Sequence, residues 1–305
     1  MLLLIIKPAL YMGAVSDGLK LFAVSVLPAM FPFFFFSKLL TSLGAAESLS
    51  SLTKKPTALL FNAPEVGGYV FAMSLLCGYP IGAKMVADCY ESGLCSQSGA
   101  KKLIAFTSTS GPLFVLGTVG LSMFNNYTVG VVILISHYIA AVINGLIFRG
   151  KKALDNTPLP LIPKQKDSAL AEAINSSIFS VAAVGGYIAI FNMAITALKD
   201  LELLNIISLF LLKINIPYNV SEGIVSGIIE VTRGALVLST SGSALVITVP
   251  IAAMLVSFGG LSVTLQSLTF LSKCKIKASY YLLTKITHAL VTAVIALGLS
   301  LILFR

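Results

Sequence analysis

"FTSTSGPLF", residues 106–114, sets four hydroxyl side chains, a glycine and a proline inside an apolar run, residues 103–124, that otherwise approaches the length of a membrane helix. Pro112 removes a backbone donor, and Gly111 lets another backbone or a ligand come close. The helix should therefore break. A bilayer has no water for the N–H and C=O groups a break exposes, so such backbone survives only inside protein or along a cavity. "SFGGLSVTLQS", residues 257–267, repeats the pattern far downstream, with Gly259 and Gly260 at its centre. Two readings stand side by side. The breaks are tips of helical hairpins or half-helices, whose N-terminal N–H groups and dipole favour an anion, or they are glycine-containing surface turns.

The surroundings decide the class. The 305 residues are 57% hydrophobic and 11% charged, with mean hydropathy +0.95, whereas soluble domains carry about 25% charged residues. Residues 19–43, 129–148, 174–198 and 280–304 join 103–124 as candidate spans. This is an all-α polytopic integral membrane protein, with about 8–10 transmembrane helices. The N-terminus, "MLLLIIKPALYMGAV", lacks the basic region and cleavage site of a secretory signal and reads as a short span or interfacial helix interrupted at Lys7-Pro8. Cys77, Cys89, Cys95 and Cys274 show no metal-ligand or CxxC spacing. The net charge of +9 sits in short inter-helix segments, as the positive-inside rule requires, and is no nucleic-acid signal.

One long polar segment divides the chain. "RGKKALDNTPLPLIPKQKD" has five basic residues and three prolines, so 149–167 reads as a cytoplasmic linker between repeats at 1–148 and 168–305. Landmarks recur across it at nearly one offset: Gly82 and Gly234 are 152 residues apart, Gly111 and Gly259 148, His137 and His288 151. The last helix of the first half ends at Arg149, and that of the second begins after "KCKIK" at 273–277. If both basic clusters are cytoplasmic, equivalent helices point in opposite directions. Inverted repeats with broken, re-entrant helices are a secondary-transporter architecture, with the solute site at the midplane.

Ionisable residues in apolar segments are the next signal, because a charge at bilayer depth is costly and usually faces a partner or a cavity. Glu65, Lys84, Asp88, Glu222, Glu230, Arg233 and Lys285 qualify. "LCGYPIGAK", residues 76–84, puts Lys84 just past a Gly-Tyr-Pro break containing Tyr79. Lys84 and Asp88, four apart, either form a surface pair or face a solute. Glu230 and Arg233, three apart, pose the same choice. Lys84 and Arg233 flank corresponding glycines, so the two cations are expected to converge on an anion, with Arg233 gripping a carboxylate bidentately. Gln266 either bonds the solute or ties two helices. His137 and His288 are read as packing or interfacial residues. No nucleophile–base–orienter set or phosphate loop appears, so an enzyme is not expected.

Four blocks carry a family resemblance. "GYPIGAK" at 78–84, "SGPLFVLGTVG" at 110–120, "GIIEVTRGALVLS" at 227–239 and "SFGGLSVTLQ" at 257–266 are similar, in order and spacing, to the YlbJ-type sporulation integral membrane proteins, within the wider nucleoside-recognition or Gate-domain group. The resemblance implies a Gate-fold transporter related in plan to concentrative nucleoside transporters. It also implies a role in spore formation, moving dipicolinate, a small aromatic dicarboxylate, across the outer forespore membrane. The expected site comprises Lys84, Arg233, Tyr79, Ser110, Gly111, Glu230, Gly259, Gly260 and Gln266. No cofactor is expected; a coupling proton or sodium would fall to Glu65, Glu222 or Asp88. The expected partners are a small anionic solute, the bilayer and a possible second copy of the chain. A nucleoside carrier, using amides such as Asn175, Asn192 and Gln266, and a non-transporting sporulation scaffold are the alternatives.

Overall fold

The structure is a computed structural model that describes residues 2–42, 53, 55–150, 169–213 and 215–304. Most of the expected cytoplasmic linker, 151–167, lies outside them. Among the described residues the chain forms helices and no strand.

Helix α1 (Leu2–Ile6) stops where Lys7-Pro8 interrupts the apolar pattern, and α2 (Pro8–Leu21) starts on the proline. A wide π-helical stretch, Phe22–Val26, carries α2 into α3 (Leu27–Ser42). Five helices follow: α4 (Gly67–Cys77), α5 (Ile81–Glu91), α6 (Gln97–Thr107), α7 (Leu113–Met123, in the π form) and α8 (Tyr127–Ile147). After α9 (Ala169–Asp200) and α10 (Leu203–Leu212) the same order returns as α11 (Tyr218–Ile229), α12 (Val231–Ser239), α13 (Leu245–Phe258), α14 (Gly260–Leu271) and α15 (Ala278–Leu303). Each helix of the second set begins 147 to 151 residues after its counterpart. The spacing of the sequence landmarks is thus the spacing of whole helices.

Length explains how these pieces meet a bilayer. Helices α8 and α15, with 21 and 26 residues, each reach across about 30 Å of hydrocarbon at about 1.5 Å per residue. The eight helices on either side of the breaks have 9 to 14 residues, roughly half that depth. Among the described residues five helical stretches are long and apolar enough to cross: Pro8–Val26, Tyr127–Ile147, Ala169–Asp200, Leu245–Cys274 and Ala278–Leu303. Their outer faces are oily, with Phe179, Val294 and Ile302 each more than 70% exposed. An apolar belt of this kind is stable against lipid and not against water.

Equivalent helices run antiparallel. Phe148, just past α8, meets Tyr280 near the start of α15 at 5.8 Å between ring centres. Further along, Asn144 Nδ2 donates to Thr284 O at 3.0 Å, and the rings of His137 and His288 stack at 4.7 Å. Position therefore falls along α8 as it rises along α15. The outer pair behaves alike: Lys7 and Tyr11 bind Asp200 at one end, while Lys38 pairs with Glu172 at the other. Opposed equivalent helices are what an inverted repeat requires. The main core is shared between the halves, with Tyr79, Phe114 and Ile133 packed among Val231, Val249 and Val256.

In each half the two breaks cross backbone on backbone, and glycine makes the crossing possible. Gly78 adopts φ +77°, and a Cβ there would lie 2.5 Å from Gly111 N. Gly260 adopts φ +72°, with its Cβ position 3.1 Å from the carbonyls of Gly227 and Ile229. Only a residue without a side chain allows both the left-handed backbone and the approach.

Candidate functional site

Four breaks converge at the centre: Gly78–Pro80, Ser108–Gly111, Glu230 and Gly259. The first three line a cavity of about 30 Å³ whose polar groups come from Tyr79, Ser110, Gly111, Glu230, Thr232, Ser262 and Gln266, among apolar side chains such as Phe114 and Val263. At about 10–15 Å³ per water on this measure, it holds roughly two waters. A second pocket of about 240 Å³ adjoins it, lined by Lys84, Phe34, Pro80, Tyr187, Thr269 and again Gln266. Gln266 is the shared wall between the two.

Five of the expected site residues therefore come together: Tyr79, Ser110, Gly111, Glu230 and Gln266. Tyr79 Oη donates to Val256 O at 3.3 Å, fastening the first-half break to the second half. Glu230 is 1% exposed, and its Oε2 accepts from Arg233 N at 2.7 Å. It is thus the N-cap of α12, satisfying a donor that every helix start leaves unpaired. Gly259, at φ +82°, forms the joint between α13 and α14, and Gly260 makes the crossing described above.

The two expected cations do not share a cavity. Lys84 lies one turn into α5, pointing away from the break, and pairs with Asp88 at 2.7 Å with both side chains half exposed. The surface-pair alternative is the arrangement observed, although Lys84 keeps a place in the outer pocket. Arg233 lies behind Glu230; its Nε is buried without a hydrogen-bond partner among the described residues, and it lines neither cavity. Glu222 pairs with Lys199 at the periphery.

The groups that hold the first break are ones the sequence reading passed over or left unranked. Ser110 N donates to His137 Nε2 at 2.8 Å. That nitrogen must then be unprotonated, so Nδ1 carries the hydrogen and donates to Ser257 Oγ at 2.6 Å. Ser257 passes the chain on to Thr292 Oγ1 at 2.8 Å, and His288 Nε2 donates to His137 O at 3.0 Å. On the carbonyl side, Lys285 Nζ donates to Ser108 O at 2.9 Å, while Ser108 Oγ and Tyr281 Oη share a bond at 2.8 Å. The signal for these groups was present. Tyr281, Lys285, His288 and Thr292 recur every three or four residues along an apolar helix, with Thr284 beside them, a polar stripe that bilayer energetics confine to the protein interior.

The chain is 28% identical over 307 residues to the sporulation integral membrane protein YlbJ of Bacillus subtilis (strain 168), covering 92% of this chain and 75% of that protein. No family model matches it, and no solved structure matches it. The resemblance carried by the four blocks thus extends along nearly the whole chain, as a likeness to a sporulation integral membrane protein.

Proposed function

We propose that this protein is a carrier for a small organic anion, with dipicolinate as the solute moved into the forespore of a sporulating cell. One observation carries the carrier reading. Four helix breaks, two from each half, meet at the centre of a bundle whose outer faces are oily, and three of them bring polar groups to one small cavity. Broken backbone at that depth requires a reason, and a solute passing between two opposed repeats supplies one. Similarity to a protein named for sporulation supports the choice of dipicolinate.

The route starts in the outer pocket, where Lys84 offers positive charge, and passes Gln266 to the central cavity. The carboxylate of Glu230 already occupies the start of α12. A dianion is therefore better met on the opposite wall, by Ser110 and the N-terminal N–H groups of α7. An aromatic dicarboxylate does not fit about 30 Å³, so the half-helix tips must part to admit it.

A second reading has its own support. Tyr79, Glu230, Thr232 and Gln266 offer hydroxyl, carboxylate and amide groups suited to a neutral polyhydroxylated solute such as a nucleoside. Purified protein in liposomes separates the readings. Saturable uptake of labelled dipicolinate, unaffected by excess uridine, is expected. Uridine uptake that dipicolinate does not compete with supports the nucleoside carrier, and flux of neither solute indicates a non-transporting scaffold.

A further inference from the structure

Lys285 brings into the interior an amino group that the proposed solute route does not use. It lies about two turns into α15, and its side chain is 1% exposed. Its Nζ is 2.9 Å from Ser108 O, 3.4 Å from Ser108 Oγ and 5.5 Å from the centre of the Tyr79 ring. Lys7, Lys20, Lys38, Lys84, Lys199 and Lys273 each pair with a carboxylate. Among the described residues no carboxylate lies within 4.0 Å of Lys285. An ammonium at bilayer depth without a counter-ion is expensive, and a neutral side chain of similar length would fill the space without that cost.

What it touches indicates its role. Ser108 is the first residue past α6, so its carbonyl belongs to the end of a half-helix, where carbonyls lack helical partners and the helix dipole is negative. In carriers with discontinuous helices, such ends and the unwound carbonyls beside them are where a coupling cation binds. Here a carbonyl, a hydroxyl and an aromatic face already surround a cation, and that cation is tethered to α15. The inverted half has no equivalent. The position 151 residues before Lys285 is Leu134, packed against the core.

We infer that Lys285 is a resident cation occupying the ion position at the first break, so that the protein binds no sodium there and moves its solute without requiring sodium. The statement about transport rests on the carrier reading; the statement about the ion position concerns the folded protein alone.

Thermal unfolding of the purified protein in detergent tests the second part. At equal ionic strength the wild-type midpoint is expected to be the same in sodium chloride and choline chloride. Lys285→Ala should unfold at a lower temperature and be raised by several degrees when methylammonium replaces choline, because the small cation re-enters the vacated position. Lys285→Met, which fills that position with an apolar chain, should not respond. Stabilisation of wild type by sodium overturns the inference, as does an Ala variant that responds to methylammonium no more than the Met variant. If the Ala variant does not accumulate, the wild-type comparison still decides. In liposomes, uptake that needs sodium overturns the resident cation, whereas no uptake in either salt defeats the carrier reading and leaves the unfolding result standing.

Discussion

Between α6 and α7 the chain runs non-helically from Ser108 to Gly111, and side chains from both long central helices hold it: His137 takes the N–H of Ser110, and Lys285 takes the carbonyl of Ser108. At the equivalent place between α13 and α14 a single residue makes the joint, Gly259 at φ +82°, with its N–H still bonded to Leu255 O at 2.8 Å. At the first tip polar side chains from elsewhere bond the non-helical backbone itself, whereas at the second they reach only the last turn of α13, at Val256 and Ser257, and the joint is made by the left-handed backbone of Gly259. The repeat conserves the position of the break while the means differ. The polar, titratable hardware is concentrated on the first tip, whose Ser110 and Gly111 line the central cavity, while Gly259 does not.

Substitutions can press on that contrast. The largest loss is expected at Gly78, whose φ +77° and ψ −177° only glycine tolerates and whose Cβ would meet Gly111 N at 2.5 Å. Gly78→Ala should cost on the order of 3 kcal/mol or abolish accumulation. Normal accumulation and melting of that variant would mean the two first-half breaks do not cross as described. Next comes the pair of equivalent histidines. His137→Leu strands the N–H of Ser110 and should cost about 1–3 kcal/mol, whereas His288→Leu loses one bond to a helix carbonyl and should cost about 0.5–1.5 kcal/mol. Equal losses in chemical unfolding would erase the asymmetry between the tips. Gly259→Ala should cost about 1–2 kcal/mol, the steric penalty of a left-handed residue, with its Cβ also tight against Val263 at 3.2 Å. Smallest is Lys84→Gln: breaking a half-exposed pair with Asp88 should change stability by less than about 0.5 kcal/mol, while weakening uptake of an anion several-fold if the outer pocket is its entrance. A stability loss like that of His137→Leu would show that Lys84 is structural.

How far the sequence could be read follows from the same contrast. Breaks made by glycine and proline are visible in composition, so Gly78, Gly111 and Gly259 were found, and the offset of about 150 residues tied them together. Three of the long spans are legible too, with ends within about five residues of 129–148, 174–198 and 280–304, because bilayer thickness sets their length, whereas 19–43 starts eleven residues inside Pro8–Val26 and Leu245–Cys274 is not among the candidate spans. Which polar side chains serve a break depends on helices distant in sequence. Lys84 sits next to a break and leaves it, while Lys285 lies 177 residues from the serine it holds. Proximity in sequence favoured the wrong lysine for the interior. The histidines, read as packing residues, are buried and stacked, and one also closes the hydrogen bonding of the first tip.

The carrier reading turns on whether solute passes the cavity at Glu230. Glu230→Gln retains an oxygen to accept from Arg233 N and so preserves the cap of α12, while removing the carboxylate, the only acidic or basic group among the described residues of the lining. In liposomes, the KM for dipicolinate should fall by about tenfold or more, because a like charge facing a dianion is strongly unfavourable in a low-dielectric site. A KM and maximal rate unchanged from wild type, for dipicolinate and for uridine alike, would contradict the claim that the crossed breaks form the solute path.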